Sequence, residues 1–271
     1  MKNKFYVLLF IPLLFTGCKK GDYKQREDEK EETDLPTDKK ASELSEEELK
    51  YVPALLVNKL KSYQSYKSVT EGKTVTNALI FNIEQSINTT VIKSEYSYLL
   101  NESHSDMHNI VHTAYYHNDK ALYKDTAQKS DQKEYTLNTL EEYLKIYGTY
   151  PFDNGIEGYS ISKGSIISVT RLESDSDYKF KITFDKEKST NNIKIQMKRF
   201  GDLDDYPSFN QNTTMEILMK DDYTPISLKL SANYKVSKTF TVNCQQDYVV
   251  TYSDYDKTIE IPDLELVKNK L

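Results

Sequence analysis

Apolar and polar positions divide this chain into blocks of different period. Residues 5–15 are apolar apart from Tyr6 and the breaker Pro12, and two lysines precede them. From residue 18 to about residue 48 Asp, Glu and Lys dominate and apolar residues are sparse. Such a segment cannot bury enough surface to offset the entropy lost on ordering it. The pattern therefore predicts a charged, disordered tether over 18–48, with a helical turn allowed where Ser45 and Glu48 form a capping pair. Folding is expected to start at Leu49. Leu49 to Leu60 reads as a helix with Leu56, Leu60 and Tyr63 on one face. Pro53 marks either a kink or a restart there, because proline suits a first helical turn and not an interior one.

From about Ser65 the period shortens to two. The stretches 69–75, 79–83, 89–92 and 96–100 are rich in strand-favouring residues, and 110–123 reads as a hairpin turning at His117–Lys120. These strands are polar on one face and apolar on the other, as in an antiparallel sheet. The cleanest helical stripe follows: Leu140, Tyr143, Leu144 and Tyr147, with Asn138 and Glu141 at its start and Gly148 at its end. Residues 150–155 form an aromatic-bearing loop. Strands resume at 166–169 and 178–184. Residues 185–201 fit both periods, and the helical one is favoured. Four sequential antiparallel strands are expected at 215–219, 226–230, 240–244 and 248–252, with a turn at 221–225. Ile259 to Pro262 ends the domain.

The first residues gain meaning from their order. A basic start, a short apolar core, then Thr16-Gly17-Cys18 followed by Lys19 and Lys20 is the layout of a signal peptide over 1–17. The apolar core is too short to span a bilayer, which needs about 20 apolar residues. A Cys directly after Thr-Gly resembles the lipobox of bacterial lipoproteins, with Phe15 where that family prefers Leu. The resemblance implies a diacylglycerol on the Cys18 thiol and cleavage before Cys18. The domain would then sit at the cell membrane, held through lipidated Cys18 and facing outside the cytoplasm.

Composition narrows the rest. The 271 residues, less a signal and tether, leave roughly 220, enough for a single domain over 49–271. With 38% hydrophobic and 29% charged residues, that domain is expected to be soluble once processed. A net charge of -6 argues against nucleic acid, which requires a basic face. The 22 tyrosines, with no tryptophan, suit half-buried strands. Only Cys18 and Cys244 are present, so a lipid on Cys18 excludes a disulfide and leaves Cys244 as a small core residue.

Candidate chemistry is sparse. His104, His108 and His112 are spaced four apart and would stack on one helical face as metal ligands can, with Glu102 and Asp106 nearby. Their flanks read as strand and loop, which would spread them too far for one ion, so metal binding is the lesser reading. No nucleophile elbow, phosphate loop or paired-Cys motif is present. The acidic run 202–205 lacks the ligand alternation and glycine of a calcium loop. No enzymatic activity and no cofactor are expected.

The closing segment, from Asp222-Tyr223-Thr224-Pro225-Ile226 through Tyr252-Ser253-Asp254-Tyr255 to Ile259-Glu260-Ile261-Pro262, resembles the last strands of LolA/LolB-like carriers and related mycobacterial lipid carriers. In layout the resemblance runs from Leu49 to Pro262. It implies an α+β fold: a large curved antiparallel β-sheet, a half-barrel, with a few helices packed on its concave side and an apolar cavity between them. The implied function is to bind or carry a lipid or other hydrophobic molecule. The helices around Leu56 and Leu144 would form a movable lid, and Leu56, Leu60, Tyr143, Leu144, Tyr147 and Phe152 would line the pocket. The alternative is a surface interaction or adhesion module with no cavity, whose core is filled by Phe180, Ile182, Leu228 and Tyr252.

Overall fold

The computed structural model describes residues 35–78, 81–94, 97–105, 109–117, 120–125, 135–137, 165–197, 208–237 and 241–260. Its strands are β1 (Tyr66–Ala78), β2 (Phe81–Ser94), β3 (Ser97–Ser105), β4 (Asn109–His117), β5 (Lys120–Asp125) and β6 (Tyr135–Leu137), then β7 (Ile166–Leu172), β8 (Tyr178–Phe184), β9 (Ser208–Phe209), β10 (Thr213–Met219), β11 (Pro225–Ser237) and β12 (Thr241–Ser253). Two α-helices are described, α1 (Val52–Ser62) and α2 (Lys186–Met197). All twelve strands join one antiparallel sheet in the order β6-β5-β4-β3-β2-β1-β12-β11-β10-β8-β7, with the short β9 paired to β11. The first strand of that path does not meet the last, so among the described residues the sheet is open. The fold is α+β: a large antiparallel half-barrel with few helices.

Strict alternation builds the inner face. Along β10 every second residue from Thr213 to Met219 is buried, and along β12 the buried set is Cys244, Gln246, Tyr248, Val250 and Tyr252. A side-chain period of two places each set on one face. Three long strands stand where four short ones were expected after residue 212. The segments 240–244 and 248–252 belong to one strand, because 245–247 carries no Gly or Pro to break it. It pairs with β1 on one side and β11 on the other along nearly its whole length. Residues 81–83 and 89–92 belong to one strand, β2, for the same reason; residues 79 and 80 of the first run lie outside the described residues. The hairpin over 110–123 forms as β4 and β5.

Gly72 allows a close approach between β1 and β12. It pairs with Tyr248, and a Cβ placed there would lie under 3.0 Å from the Asp247 carbonyl oxygen and the Tyr248 Cβ. Only a residue without a side chain fits that approach.

Pro53 sits in the first turn of α1, after a 3-10 turn at Leu49–Tyr51, so the restart is what forms. Helix α2 confirms the helical period at 186–197. Its cap is Asp185, whose Oδ1 accepts from the backbone N–H of Glu187 at 2.9 Å and of Lys188 at 2.8 Å.

The tether expectation requires a correction at its end. Residues 35–48 are packed onto the domain, and Ala41, Leu44 and Leu49 belong to the main core. Few as they are, these apolar residues are joined by polar contacts that composition does not reveal. The Ala41 N–H donates to the Asp221 carbonyl at 2.9 Å, and the Ser42 N–H to Asp221 Oδ1 at 2.8 Å. The Tyr223 hydroxyl donates to the Lys39 carbonyl at 2.9 Å. Arg171 Nη2 donates to the carbonyls of Ala41 and Leu44 at 3.0 and 3.1 Å. Glu48 Oε2 accepts from the Ser45 N–H and hydroxyl at 2.8 and 2.9 Å, the expected capping pair. The Lys39 ammonium donates to Glu48 Oε1 at 2.5 Å. Hydrogen bonds from Lys39 and Ser45 hold the Glu48 carboxyl down at about 2.

Candidate functional site

The inner face of the sheet has two zones, and α1 covers only one. Leu55, Leu56, Val57 and Leu60 of α1 share a core cluster with Phe180, Ile182, Met215, Ile217, Leu228, Leu230, Tyr248, Val250 and Tyr252. The gap bounded by Pro53, Leu56, Ile166, Ile182, Phe184, Met215 and Ile217 has a volume of about 10 Å³. That is room for one water at most. Leu56 and Leu60, expected to line a pocket, both belong to the core cluster under α1, and Leu56 bounds this gap. Both are fully buried.

The C-terminal end of α1 is pinned rather than hinged. Lys59 Nζ lies 2.9 Å from Asp222 Oδ2. The hydroxyls of Tyr63 and Thr224 are 2.5 Å apart. The Tyr63 and Tyr255 rings stack tilted with centroids 4.4 Å apart, and the Tyr255 hydroxyl donates to the Pro225 carbonyl at 2.6 Å. Partial burial pushes the Asp222 carboxyl up. Hydrogen bonds from Thr224 and Lys59 outweigh it and bring the group down to about 2.

The second zone begins one row beyond the Met215–Leu230–Tyr248–Gly72 line. There the register pairs Phe184 with Thr213, Ala232 with Gln246, and Gln246 with Thr74. The next row pairs Tyr234 with Cys244 and Cys244 with Thr76. Thr74, Thr76, Thr213, Tyr234, Cys244 and Gln246 are all buried. The Thr76 hydroxyl and the Cys244 sulfur are 3.7 Å apart, and burial pushes the Cys244 thiol up. Gln246 is 0% exposed, yet neither its amide nitrogen nor its amide oxygen has a hydrogen-bond partner. The hydroxyls of Thr213 and Tyr234 also lack one. The Cys244 sulfur is near enough to Tyr234 to interact weakly, but the pair does not reach hydrogen-bond geometry. Burial pushes the Tyr234 phenol well above its ordinary range. Buried polar groups in folded proteins are nearly always satisfied, so four orphan atoms in adjacent rows single out this zone.

Cys18, His108, Tyr143, Leu144, Tyr147 and Phe152 lie outside the described residues. His104 falls on β3, opposite Asn109, and His112 on β4, opposite Asp125. The two occupy separate strands, not one helical face. Among the described residues no three His, Cys, Asp or Glu side chains gather as a metal site would require. Gln246 was not among the residues singled out from the sequence. The signal was there: once Tyr248, Val250 and Tyr252 are read as inward, the same alternation turns Gln246 inward as well.

No protein-family model matches the chain, and no curated protein does. Among solved structures it is similar to LprF from Mycobacterium bovis at 13% identity and a TM-score of 0.40, covering 80% of this chain and 97% of that one. It is also similar to a LolA superfamily protein from Nitrosomonas europaea at 11% identity and a TM-score of 0.28, covering 82% and 99%. At these values neither similarity carries an activity to this chain.

Proposed function

We propose that this protein is a membrane-tethered binder or carrier of a lipid or other hydrophobic molecule, facing outside the cytoplasm and acting without bond making. One observation carries the reading: the buried inner face of the sheet is longer than the helix packed on it. β12 has 13 residues, roughly 44 Å at ~3.4 Å per residue. α1 has 11, roughly 16 Å. Inward residues nevertheless stay buried past the reach of α1, at Gln246, Cys244 and Tyr234. A face shielded from water beyond the reach of α1 is where an apolar ligand would be housed, each Å² of apolar contact contributing about 25 cal/mol. The membrane part of the proposal rests on the lipobox-like order ending at Cys18.

The interaction module is the second reading, and the solid packing under α1 favours it: Phe180, Ile182 and Leu228 are fully buried there. Native mass spectrometry of the full chain purified from its membrane fraction separates the two. The carrier is expected to retain a lipid, and to lose it when Leu144 is changed to Asp in a still-folded protein. An intact chain that co-purifies with no lipid and takes up no added apolar probe would leave the interaction module. The same spectra read the anchor, as a diacylglycerol mass on an N-terminal Cys18.

A further inference from the structure

The orphan groups on the inner face define a ligand more closely than apolar area can. We propose that Gln246, with the hydroxyls of Thr213 and Tyr234, forms a neutral hydrogen-bonding site that receives an uncharged carbonyl-bearing group, an ester or amide, at the end of a hydrophobic ligand. This rests on the binding reading above and assigns its polar contact.

Three observations carry the argument. First, the Gln246 amide offers two N–H donors and a carbonyl acceptor, fully buried and unpartnered. A ligand ester or amide can accept from that nitrogen, and an adjacent hydroxyl or N–H can donate to that oxygen. Second, the register places the smallest side chain of the row between the orphan groups. Ala232 stands between Gln246 and the strand of Thr213 and is itself buried, so the two orphan side chains flank a residue whose side chain is one methyl group. Tyr234 lies one step diagonally from Gln246 on the same face, within reach of a long side chain. Third, no described inward residue of either row is charged, the flanking Ile166, Phe209 and Ile83 included. A carboxylate or phosphate buried there would lack a counter-charge, which is strongly unfavourable. The site therefore selects a neutral ester over a free fatty acid.

The test compares two probes on the purified full chain: a pyrene-labelled monoacylglycerol and the corresponding pyrene-labelled fatty acid, each titrated at pH 7.5. Wild type is expected to bind the ester more tightly than the acid. Gln246→Leu, close in size and without polar atoms, is expected to weaken the ester roughly tenfold, the scale of one buried hydrogen bond. The same substitution is expected to raise the urea midpoint of the ligand-free protein, because it removes orphaned atoms. A purely structural glutamine, satisfied by an ordered water, predicts the reverse: a lower midpoint and unchanged ester affinity. Ester and acid binding equally well, with Gln246→Leu indistinguishable from wild type, would overturn this site and leave the carrier standing. Failure of wild type to bind either probe would overturn both. Thr213→Val provides a second variant should Gln246→Leu fail to fold, and the same outcomes apply to it.

Discussion

Leu56→Ala tests whether α1 is part of the core or a cover that lifts away. The side chain is fully buried and bounds the gap of about 10 Å³ together with Ile182, Phe184, Met215 and Ile217. Those neighbours lie on β8 and β10. Each strand is hydrogen-bonded on both sides, β8 to β7 and β10, β10 to β8 and β11. A lattice held in that way cannot close over a new hole, and the existing gap provides no slack. The cost should therefore fall in the upper part of the range for buried Leu→Ala, about 3–5 kcal/mol. The assay is urea denaturation of the full chain at 25 °C, followed by far-ultraviolet circular dichroism. The midpoint should fall with the slope unchanged, since the surface exposed on unfolding stays the same. The thermal midpoint should drop by about 10 °C. Lys61→Ala, on the exposed side of the same helix, serves as control and should stay within about 0.5 kcal/mol. A Leu56→Ala cost below about 1 kcal/mol would refute the reasoning, because only a helix that already leaves the sheet tolerates that loss.

Three further outcomes follow from the same packing. Gly72→Ala should destabilise by about 1–3 kcal/mol, because the new methyl meets the backbone of Asp247 and the Cβ of Tyr248; a midpoint unchanged in urea would show that the strands separate freely there. Acid should weaken the fold as pH falls from the ordinary carboxylate range towards 2. Glu48 and Asp222 are both held at about 2 in the folded chain, so their contribution is present above their unfolded values and lost on the way down. Asp222→Asn should flatten that part of the stability–pH curve, and an unaltered curve would remove Asp222 from the account. Cys244 is 2% exposed and its thiol is pushed up by burial, so it should react with a thiol reagent only at the rate of opening. Labelling within seconds in native buffer would contradict its burial.

Periodicity made most of the fold readable, because burial on one face leaves a period of two wherever a strand is half covered. β8 and β10 stand where alternation puts them, and Leu56 and Leu60 are inward on α1 as their spacing requires. What could not be read was continuity. A polar residue inside a strand looks like a break in sequence, so Gln245-Gln246-Asp247 separated one strand into two. Pairing on both sides overrides that local impression. The same blind spot hid the orphan amide, since a glutamine signals a turn or a surface unless its neighbours fix its face. The strap over 35–48 failed for a different reason. Its order comes from Arg171 and Asp221, more than a hundred residues away in sequence, and local composition carries no trace of such partners.

That strap also fixes how a tethered domain would present itself. Seventeen peptide steps separate Cys18 from Leu35, and a chain of that length spans at most about 60 Å when fully extended. The strap is bonded to the turn that joins β10 to β11, through Lys39 to Tyr223 and through Ala41 and Ser42 to Asp221. Thr213 and its row lie at the other end of β10, six residues away, roughly 20 Å along the strand. The attachment point and the orphan polar groups thus occupy opposite ends of the same strands. A membrane-bound domain resting on its strap would hold the Gln246 zone away from the surface. A ligand leaving that membrane would then require the domain to turn over within the length of its tether. On the proposed tethered-carrier reading, shortening the sequence between Cys18 and Leu35 should slow ligand exchange with a membrane while leaving affinity in solution unchanged.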